Sequence, residues 1–195
     1  ETEKERLFFR SSNWYQENNV SLRLGATLEE ISAKNKTVCL KTGEKLKYQK
    51  LVLSMGARAL TLPEVFGGHH RGVYSIRTLS DVDTIKHEFQ PGRTLMVVGG
   101  GYVGLEAAST ANKLGLRVIV IEREDRILKR VAAVATSNYF RELHVSKGVQ
   151  IYESTSLITL TEKEGRVSGA VLSSGENIGV DFVICGIGIK PNDEL

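Results

Sequence analysis

The chain has 195 residues, of which 41% are hydrophobic and 25% charged, and its formal net charge is +3. This length and composition allow a sizeable buried core, whereas the small charge, without a basic stripe carrying aromatic residues, argues against nucleic-acid binding. No apolar run approaches the roughly 20 residues that cross a bilayer, and the first residues lack a signal-peptide core, so we expect a soluble, cytoplasmic protein with no membrane partner.

Short strand patterns dominate the first third of the chain. Residues 20–24 and 51–55 each predict a strand, the second of them buried, and residues 38–48 predict a hairpin that turns near Thr42-Gly43. A loop with Pro63 and a glycine pair at 67–68 follows and marks the predicted domain boundary. Because several short strands lack a covering helix, this segment is predicted to be part of a larger sheet.

Helices and strands alternate from about residue 72 onward. The patterns predict a helix over 80–89 that begins at Ser80-Asp81, a strand over 94–98, a glycine turn, a helix, and a strand over 117–121. A helix over 131–147, a strand over 149–152, a hairpin over 157–172 that turns at Glu164-Gly165, and a strand over 181–185 complete the order. The order predicts an α/β fold, a Rossmann-like dinucleotide-binding domain with a parallel sheet, helices and a small antiparallel flap.

The glycine turn carries the clearest functional signal. Residues 99–106 read Gly-Gly-Gly-Tyr-Val-Gly-Leu-Glu and lie between a strand and a helix, the fingerprint of a dinucleotide whose pyrophosphate rests on the helix N-terminus. Gly99 permits the tight turn, Gly101 lets the backbone approach the pyrophosphate, and Gly104 lets the helix pack close to the sheet. Close packing alone is the alternative explanation for such a turn.

An acidic residue, Glu122, ends the next strand, 18 residues beyond Gly104. This position suits a carboxylate that accepts hydrogen bonds from the adenine ribose. A 2′-phosphate would meet a like charge there, so NAD is favoured over NADP. Three basic residues, Arg123, Arg126 and Arg130, could neutralise such a phosphate and keep NADP open.

The cysteines and histidines of the sequence indicate neither a reactive thiol nor a metal site. Cys39 and Cys185 lie inside apolar strand patterns and are predicted to be buried and inert. The sequence has no Cys-x-x-Cys pair, so we expect no dithiol relay in this chain. His69 and His70 are adjacent, a spacing that suits metal binding poorly, and no metal site is predicted.

Five stretches of the chain resemble the FAD-dependent pyridine nucleotide-disulfide oxidoreductases, and within them the rubredoxin, putidaredoxin and dioxygenase-ferredoxin reductases. The stretches are residues 14–22, 48–53, 75–81, 97–106 and 186–192. In that family an NAD domain is inserted into an FAD domain that is split in sequence. The resemblance implies that residues 1–71 are the C-terminal part of the first FAD-domain segment, that residues 72–190 are the NAD(H)-binding domain, and that residues 191–195 begin the return to the FAD domain.

Two family features are absent from the sequence, namely the N-terminal FAD fingerprint and a later Gly-Asp segment for the flavin. The resemblance therefore implies a piece of a longer protein that would not hold flavin tightly or turn over alone. The family's Ala-Thr-Gly, which touches FAD, is replaced here by Ser54-Met55-Gly56.

The resemblance also assigns roles in cofactor binding. Glu106 is implied to bind the nicotinamide carboxamide, Arg130 to lie near the adenosine end, and residues 186–188 to form the nicotinamide side. From the residues alone, Glu106 could instead be an exposed charge in the first helical turn, although the cofactor role is favoured, and Arg130 could equally be a solvated loop cation. No side chain is needed as an acid or base for hydride transfer, so no catalytic residue is predicted. The predicted cofactor-binding residues are Gly99, Gly100, Gly101, Tyr102, Val103, Gly104, Glu106, Glu122, Arg123, Arg130, Gly186, Ile187 and Gly188.

The function implied by the resemblance is that of the NADH-binding part of a flavoprotein reductase. Hydride would pass from NADH to FAD in the full-length protein, and electrons would then pass to a small iron-sulfur protein such as a rubredoxin or a ferredoxin. The alternatives are an NADH peroxidase, NADH oxidase or coenzyme A disulfide reductase with a reactive cysteine outside this sequence, a nitrite reductase flavin subunit, and an NADH-binding scaffold like the apoptosis-inducing factor.

Overall fold

The computed structural model describes residues 4–195, so residues 1–3 of the first predicted segment lie outside the described residues. The described residues form two compact units, one made of residues 4–54 with Asp193–Leu195 and the other of Met55–Asn192. The predicted division into FAD and NAD domains concerns cofactors and stays a prediction.

The first unit contains one short helix and one small antiparallel sheet. After a 3₁₀ turn (Lys4–Leu7), the elements are α1 (Ser12–Glu17), β1 (Leu28–Ser32), β2 (Thr37–Leu40) and β3 (Lys45–Lys47). The sheet order is β1-β2-β3, and the predicted hairpin is confirmed, with Val38 opposite Leu46. Cys39, which was predicted to be buried, is only half-buried, because it alternates with the buried Val38 and Leu40.

The strands predicted over 20–24 and 51–55 do not form. Residues 51–54 are exposed, and Val52 has 85% of its surface accessible. A strand needs a neighbour to pair its backbone groups, and no strand among residues 4–195 pairs with either segment.

The second unit contains three helices and ten strands. They are β4 (Ala57–Ala59), β5 (Val73–Ser75), α2 (Leu79–Ile85), β6 (Thr94–Val98), α3 (Tyr102–Lys113), β7 (Arg117–Ile121), α4 (Val134–Ser146), β8 (Gln150–Tyr152), β9 (Leu157–Lys163), β10 (Arg166–Leu172), β11 (Asn177–Gly179), β12 (Phe182–Cys185) and β13 (Ile189–Pro191). Two further 3₁₀ turns span Glu64–Phe66 and Lys86–Glu88.

A five-stranded parallel sheet in the order β5-β12-β6-β7-β8 forms the centre of this unit. Every residue of β6 is buried, as expected for a strand covered on both faces. Alternate residues serve opposite faces: Leu95 and Val97 pack with Ala108 of α3, whereas Met96 packs with Leu160 of β9. The parallel sheet is therefore the middle of three layers.

The layer opposite the helices is an antiparallel sheet in the order β11-β10-β9. Its β9–β10 hairpin turns at Glu164 and Gly165, which both have positive φ, as the sequence predicts. The parallel sheet, the helices and this flap confirm the predicted fold.

Two helix starts differ slightly from the sequence prediction. Thr78, rather than Ser80, is the N-cap of α2, and it forms a capping box with Asp81. The helix α4 begins at residue 134 instead of 131, because the N–H groups of Val131 and Ala132 are used by the turn that closes on the Leu128 carbonyl. None of the helices in the described residues has the length and hydropathy that a bilayer crossing requires.

Candidate cofactor site

The candidate site lies at the carboxyl ends of β6 and β12, which are adjacent parallel strands. From β6 the sheet continues through β7 and β8 on one side, and through β12 and β5 on the other. The connections after β6 and β12 therefore leave a crevice at a topological switch point, the place where open α/β sheets bind ligands.

Three glycines from three segments pack against one another in this crevice. Gly99 has φ +109°, and a Cβ on it would lie 2.6 Å from the Gly186 carbonyl oxygen. A Cβ on Gly104 would lie 2.1 Å from the Gly99 carbonyl oxygen and 3.0 Å from Cγ1 of Val97. The predicted role of Gly104 in close packing is consistent with this geometry, although its nearest neighbour is the turn itself rather than the strand.

Gly101 differs from these glycines because neither its backbone conformation nor a close neighbour requires glycine at this position. It is the N-cap of α3 in an ordinary extended conformation, and a Cβ on it would have no atom within 4 Å. The open space next to it faces the first turn of α3, whose N–H groups lack helical acceptors and carry the positive end of the helix dipole. This space suits a diphosphate.

Glu122 is bound to the glycine turn. Its Oε2 accepts the Gly100 N–H at 2.8 Å, and its Oε1 accepts the Glu124 N–H at 2.9 Å. Gly100 is held a second time through its carbonyl, which accepts the Leu128 N–H at 2.9 Å, and a Cβ on it would lie 2.7 Å from Cγ2 of Ile127. Each carboxylate oxygen keeps a further lone pair, so the half-buried Glu122 can still accept hydrogen bonds from a ribose.

The three arginines that follow Glu122 have different surroundings. Arg126 donates to the carbonyls of Ala132 at 3.0 Å and Lys129 at 3.2 Å and to the Ser137 hydroxyl, so it is part of the loop structure. The Arg123 side chain is 80% exposed and reaches Glu124 at 3.6 Å.

Arg130, which the resemblance implies to lie near the adenosine end, approaches Gly188 in the structure. It is exposed, and its Nη2 lies 3.8 Å from the position of a Cβ on Gly188. The structure thus brings Arg130 beside the turn after β12.

Comparison with known proteins agrees with this architecture. Residues 2–195 match the sequence profile of the pyridine nucleotide-disulphide oxidoreductases. The chain belongs to this family. It is 35% identical over 185 residues to a 3-phenylpropionate/cinnamic acid dioxygenase ferredoxin–NAD(+) reductase component of Photorhabdus laumondii, covering 95% of this chain and 46% of that protein. It is 34% identical over 195 residues to the rubredoxin–NAD(+) reductase of Pseudomonas putida, covering 100% of this chain and 50% of that protein.

Among solved structures, the covalent putidaredoxin reductase–putidaredoxin complex superposes with a TM-score of 0.90 at 33% identity, covering 100% of this chain and 48% of that chain. The chain therefore spans about half the length of the relatives it matches.

The remaining residues that the family resemblance points to lie around the same crevice. Tyr102 and Val103 start α3 and are exposed, and Glu106 lies one turn further along and is also exposed. The Glu106 side chain makes no hydrogen bond or ion pair with the other residues of the described part of the chain, so it is available to a ligand. Ile187 is half-buried and packs on the core beneath the turn.

The disulphide in the family's name has no counterpart among residues 4–195, in which Cys39 and Cys185 are both free. Cys185 ends β12 and is 3% exposed, as predicted. Burial raises the pKa of its thiol, and a backbone hydrogen bond at Ile187 only partly opposes this effect. Since the thiolate is the reactive form, Cys185 is a packing residue.

Proposed function

We propose that this chain binds NAD(H) in the crevice between β6 and β12 and is the NADH-binding part of a flavoprotein reductase. The observation that carries the proposal is the open space at Gly101, which faces the α3 N-terminus at a topological switch point. Neither the φ of Gly101 nor any neighbouring atom requires glycine at this position. The presence of glycine there therefore supports a close approach of the ligand to the backbone.

Different residues of the chain bind different parts of NADH. The first-turn N–H groups of α3 hold the pyrophosphate, and Glu122 accepts hydrogen bonds from the adenine ribose. Glu106 accepts a hydrogen bond from the nicotinamide carboxamide, and residues 186–188 form the wall on that side. When bound, NADH supplies a hydride that FAD in the full-length protein accepts, and single electrons then go to a small iron-sulfur protein.

The preference for NADH over NADPH rests on two features of the loop after β7. The Glu122 carboxylate would repel a 2′-phosphate, and Arg126 is committed to Ala132, Lys129 and Ser137. Only Arg123 and Arg130 remain to bind such a phosphate, and Arg130 lies beside Gly188.

The proposed electron acceptor is a rubredoxin or a ferredoxin. The names of two relatives pair their reductases with ferredoxin or rubredoxin, and one of the matching solved structures contains putidaredoxin. These pairings support a small iron-sulfur partner. No nucleic acid or membrane is proposed as a partner, and the proposal keeps the cytoplasmic location that the sequence predicts.

The test uses the full-length protein loaded with FAD. NADH is expected to bleach the flavin absorbance more efficiently than NADPH, and a rubredoxin or a ferredoxin is expected to reoxidise it. Tight NADH binding with negligible electron transfer would contradict the reductase proposal and favour an NADH-binding scaffold. Efficient reduction of a disulfide or peroxide, lost on alkylation of a cysteine outside this sequence, would favour a disulfide or peroxide reductase instead.

A further inference from the structure

Residues 186–188 carry the chain out of the parallel sheet at the candidate site. Gly188 has φ +126°, and its carbonyl accepts the Leu60 N–H at 2.9 Å. The next three residues form β13, which pairs with β4 as an antiparallel ribbon, with Ile189 opposite Ala59 and Pro191 opposite Ala57. The ribbon therefore continues directly from the wall of the crevice.

This ribbon is weak on its own. Each strand has three residues, all of β13 is exposed, and Pro191 has no N–H to donate. Two-stranded ribbons are at best marginally stable in water. Some further contact must hold the end of the ribbon that lies away from Gly188.

Asn192 supplies that contact. Its backbone N–H donates to the Gly56 carbonyl at 3.0 Å, its side-chain Nδ2 donates to the Met55 carbonyl at 2.8 Å, and its Oδ1 accepts from Nη1 of Arg58 at 2.9 Å. Three residues of the opposite segment are thus bound by one half-buried asparagine. The ribbon is closed by Leu60 and Gly188 at one end and by Asn192 at the other.

We infer that Asn192 is a positioning residue for the nicotinamide side of the crevice. This inference rests on the proposed function. Asn192 does not touch the crevice itself, but it fixes β13 and with it the position of Gly188. Since a displacement of about 1 Å between reacting groups can slow a reaction about 100-fold, loosening this wall slows hydride transfer. The pyrophosphate and adenosine contacts lie on α3 and β7, so the affinity for NADH is unchanged.

The test compares Asn192→Ala with wild type in the full-length, FAD-loaded protein. Stopped-flow absorbance is expected to show flavin reduction by saturating NADH slowed about tenfold, with the Kd for NADH within about twofold of wild type. Hydrogen exchange gives a readout independent of turnover: the Leu60 amide, bonded to the Gly188 carbonyl, is expected to exchange at least about tenfold faster.

Asn177→Ala is the matched control. Asn177 lies exposed in the short strand β11, and its side chain makes no hydrogen bond with other residues of the described range. Flavin reduction and Leu60 exchange are expected to be as in wild type. If Asn192→Ala does not fold, Asn192→Asp, which removes the bond to Met55, is expected to slow the same step at least about threefold.

The outcomes separate the two claims. Flavin reduction and Leu60 exchange that stay within twofold of wild type in the Asn192 variants would overturn the positioning role and leave the proposed function standing. A wild-type protein whose flavin NADH does not reduce would overturn the proposed function instead.

Discussion

Gly100 and Glu122 are joined by a hydrogen bond of 2.8 Å that ties the middle of the glycine turn to the end of β7. The other carboxylate oxygen of Glu122 accepts the Glu124 N–H. In the proposed NAD(H) complex Glu122 therefore has two tasks: it shapes the turn that faces the pyrophosphate, and it keeps lone pairs for the adenine ribose.

We expect Glu122→Ala to weaken NADH binding at least about tenfold, equivalent to about 1.4 kcal/mol, and to weaken NADPH binding less. Both coenzymes lose the ordered turn, but NADPH is also relieved of repulsion between its 2′-phosphate and the carboxylate. Isothermal titration calorimetry with each coenzyme measures the two changes. Glu142→Ala, an exposed carboxylate on α4, is the control. Equal losses for both coenzymes would remove the basis for the NADH preference.

Substitutions at Gly101 and at Gly104 are expected to have different effects, the first on NADH binding and the second on stability. Gly101→Val adds its side chain in open space and is expected to abolish NADH binding while the melting temperature stays at the wild-type value. Gly104→Ala brings a Cβ to 2.1 Å from the Gly99 carbonyl oxygen and is expected to cost about 1–3 kcal/mol of unfolding free energy. Calorimetric titration and urea denaturation separate the two effects. A Gly101→Val protein that binds NADH normally would contradict the placement of the pyrophosphate.

The glycine turn could be predicted from the sequence because its spacing follows from local backbone geometry. The spacing predicts a separate role for each of Gly99, Gly101 and Gly104. The steric constraint on Gly100 could not be predicted in this way. It comes from the close approach of the Ile127 side chain, which no sequence pattern indicates.

Other features depend on contacts between distant parts of the chain. Asn192 and Met55 are 137 residues apart, and the strands that they close have only three residues each, which is too short for a recognisable strand pattern. Conversely, residues 51–55 have an apolar strand pattern but form no strand, because a pattern cannot supply the neighbouring strand. Local signals thus predicted the central βαβ unit and the flap, and missed the ribbon.

Arg126 is expected to stabilise the loop after β7 rather than to select a coenzyme. Lysine cannot reproduce the planar fork with which the guanidinium reaches Ala132, Lys129 and Ser137. We expect Arg126→Lys to lower the free energy of unfolding by about 1–2 kcal/mol, with the ratio of NADH to NADPH affinity unchanged. Arg123→Lys, at an exposed position in the same loop, is the control for stability in urea denaturation. Equal stability of the two variants would show that the Arg126 contacts contribute nothing.

Glu88 is a fully buried carboxylate at which the helical layer meets the antiparallel sheet. It accepts the Tyr74 hydroxyl at 2.6 Å and Arg166 at 2.6 and 2.7 Å, and Arg93 lies 2.5 Å away. Burial by itself raises the pKa of Glu88, but the hydrogen bonds from Arg166 and Tyr74 and the charge of Arg93 outweigh it, so the pKa is lowered. Glu88 and Arg166 are 78 residues apart, which is why no local pattern indicated the cluster.

This lowered pKa predicts a stability that depends on pH. A carboxylate with a lower pKa in the folded state stabilises the protein above its unfolded pKa of about 4.3, and that contribution is lost as the pH falls through the folded value. Glu88→Gln is expected to cost about 3 kcal/mol near neutral pH, since it leaves Arg93 and Arg166 without their partner. The difference in unfolding free energy between wild type and variant should then shrink below about pH 4.3. Urea denaturation across this range measures it, with Glu142→Gln as the exposed control. A difference that stays constant on acidification would show that Glu88 ionisation is not linked to folding.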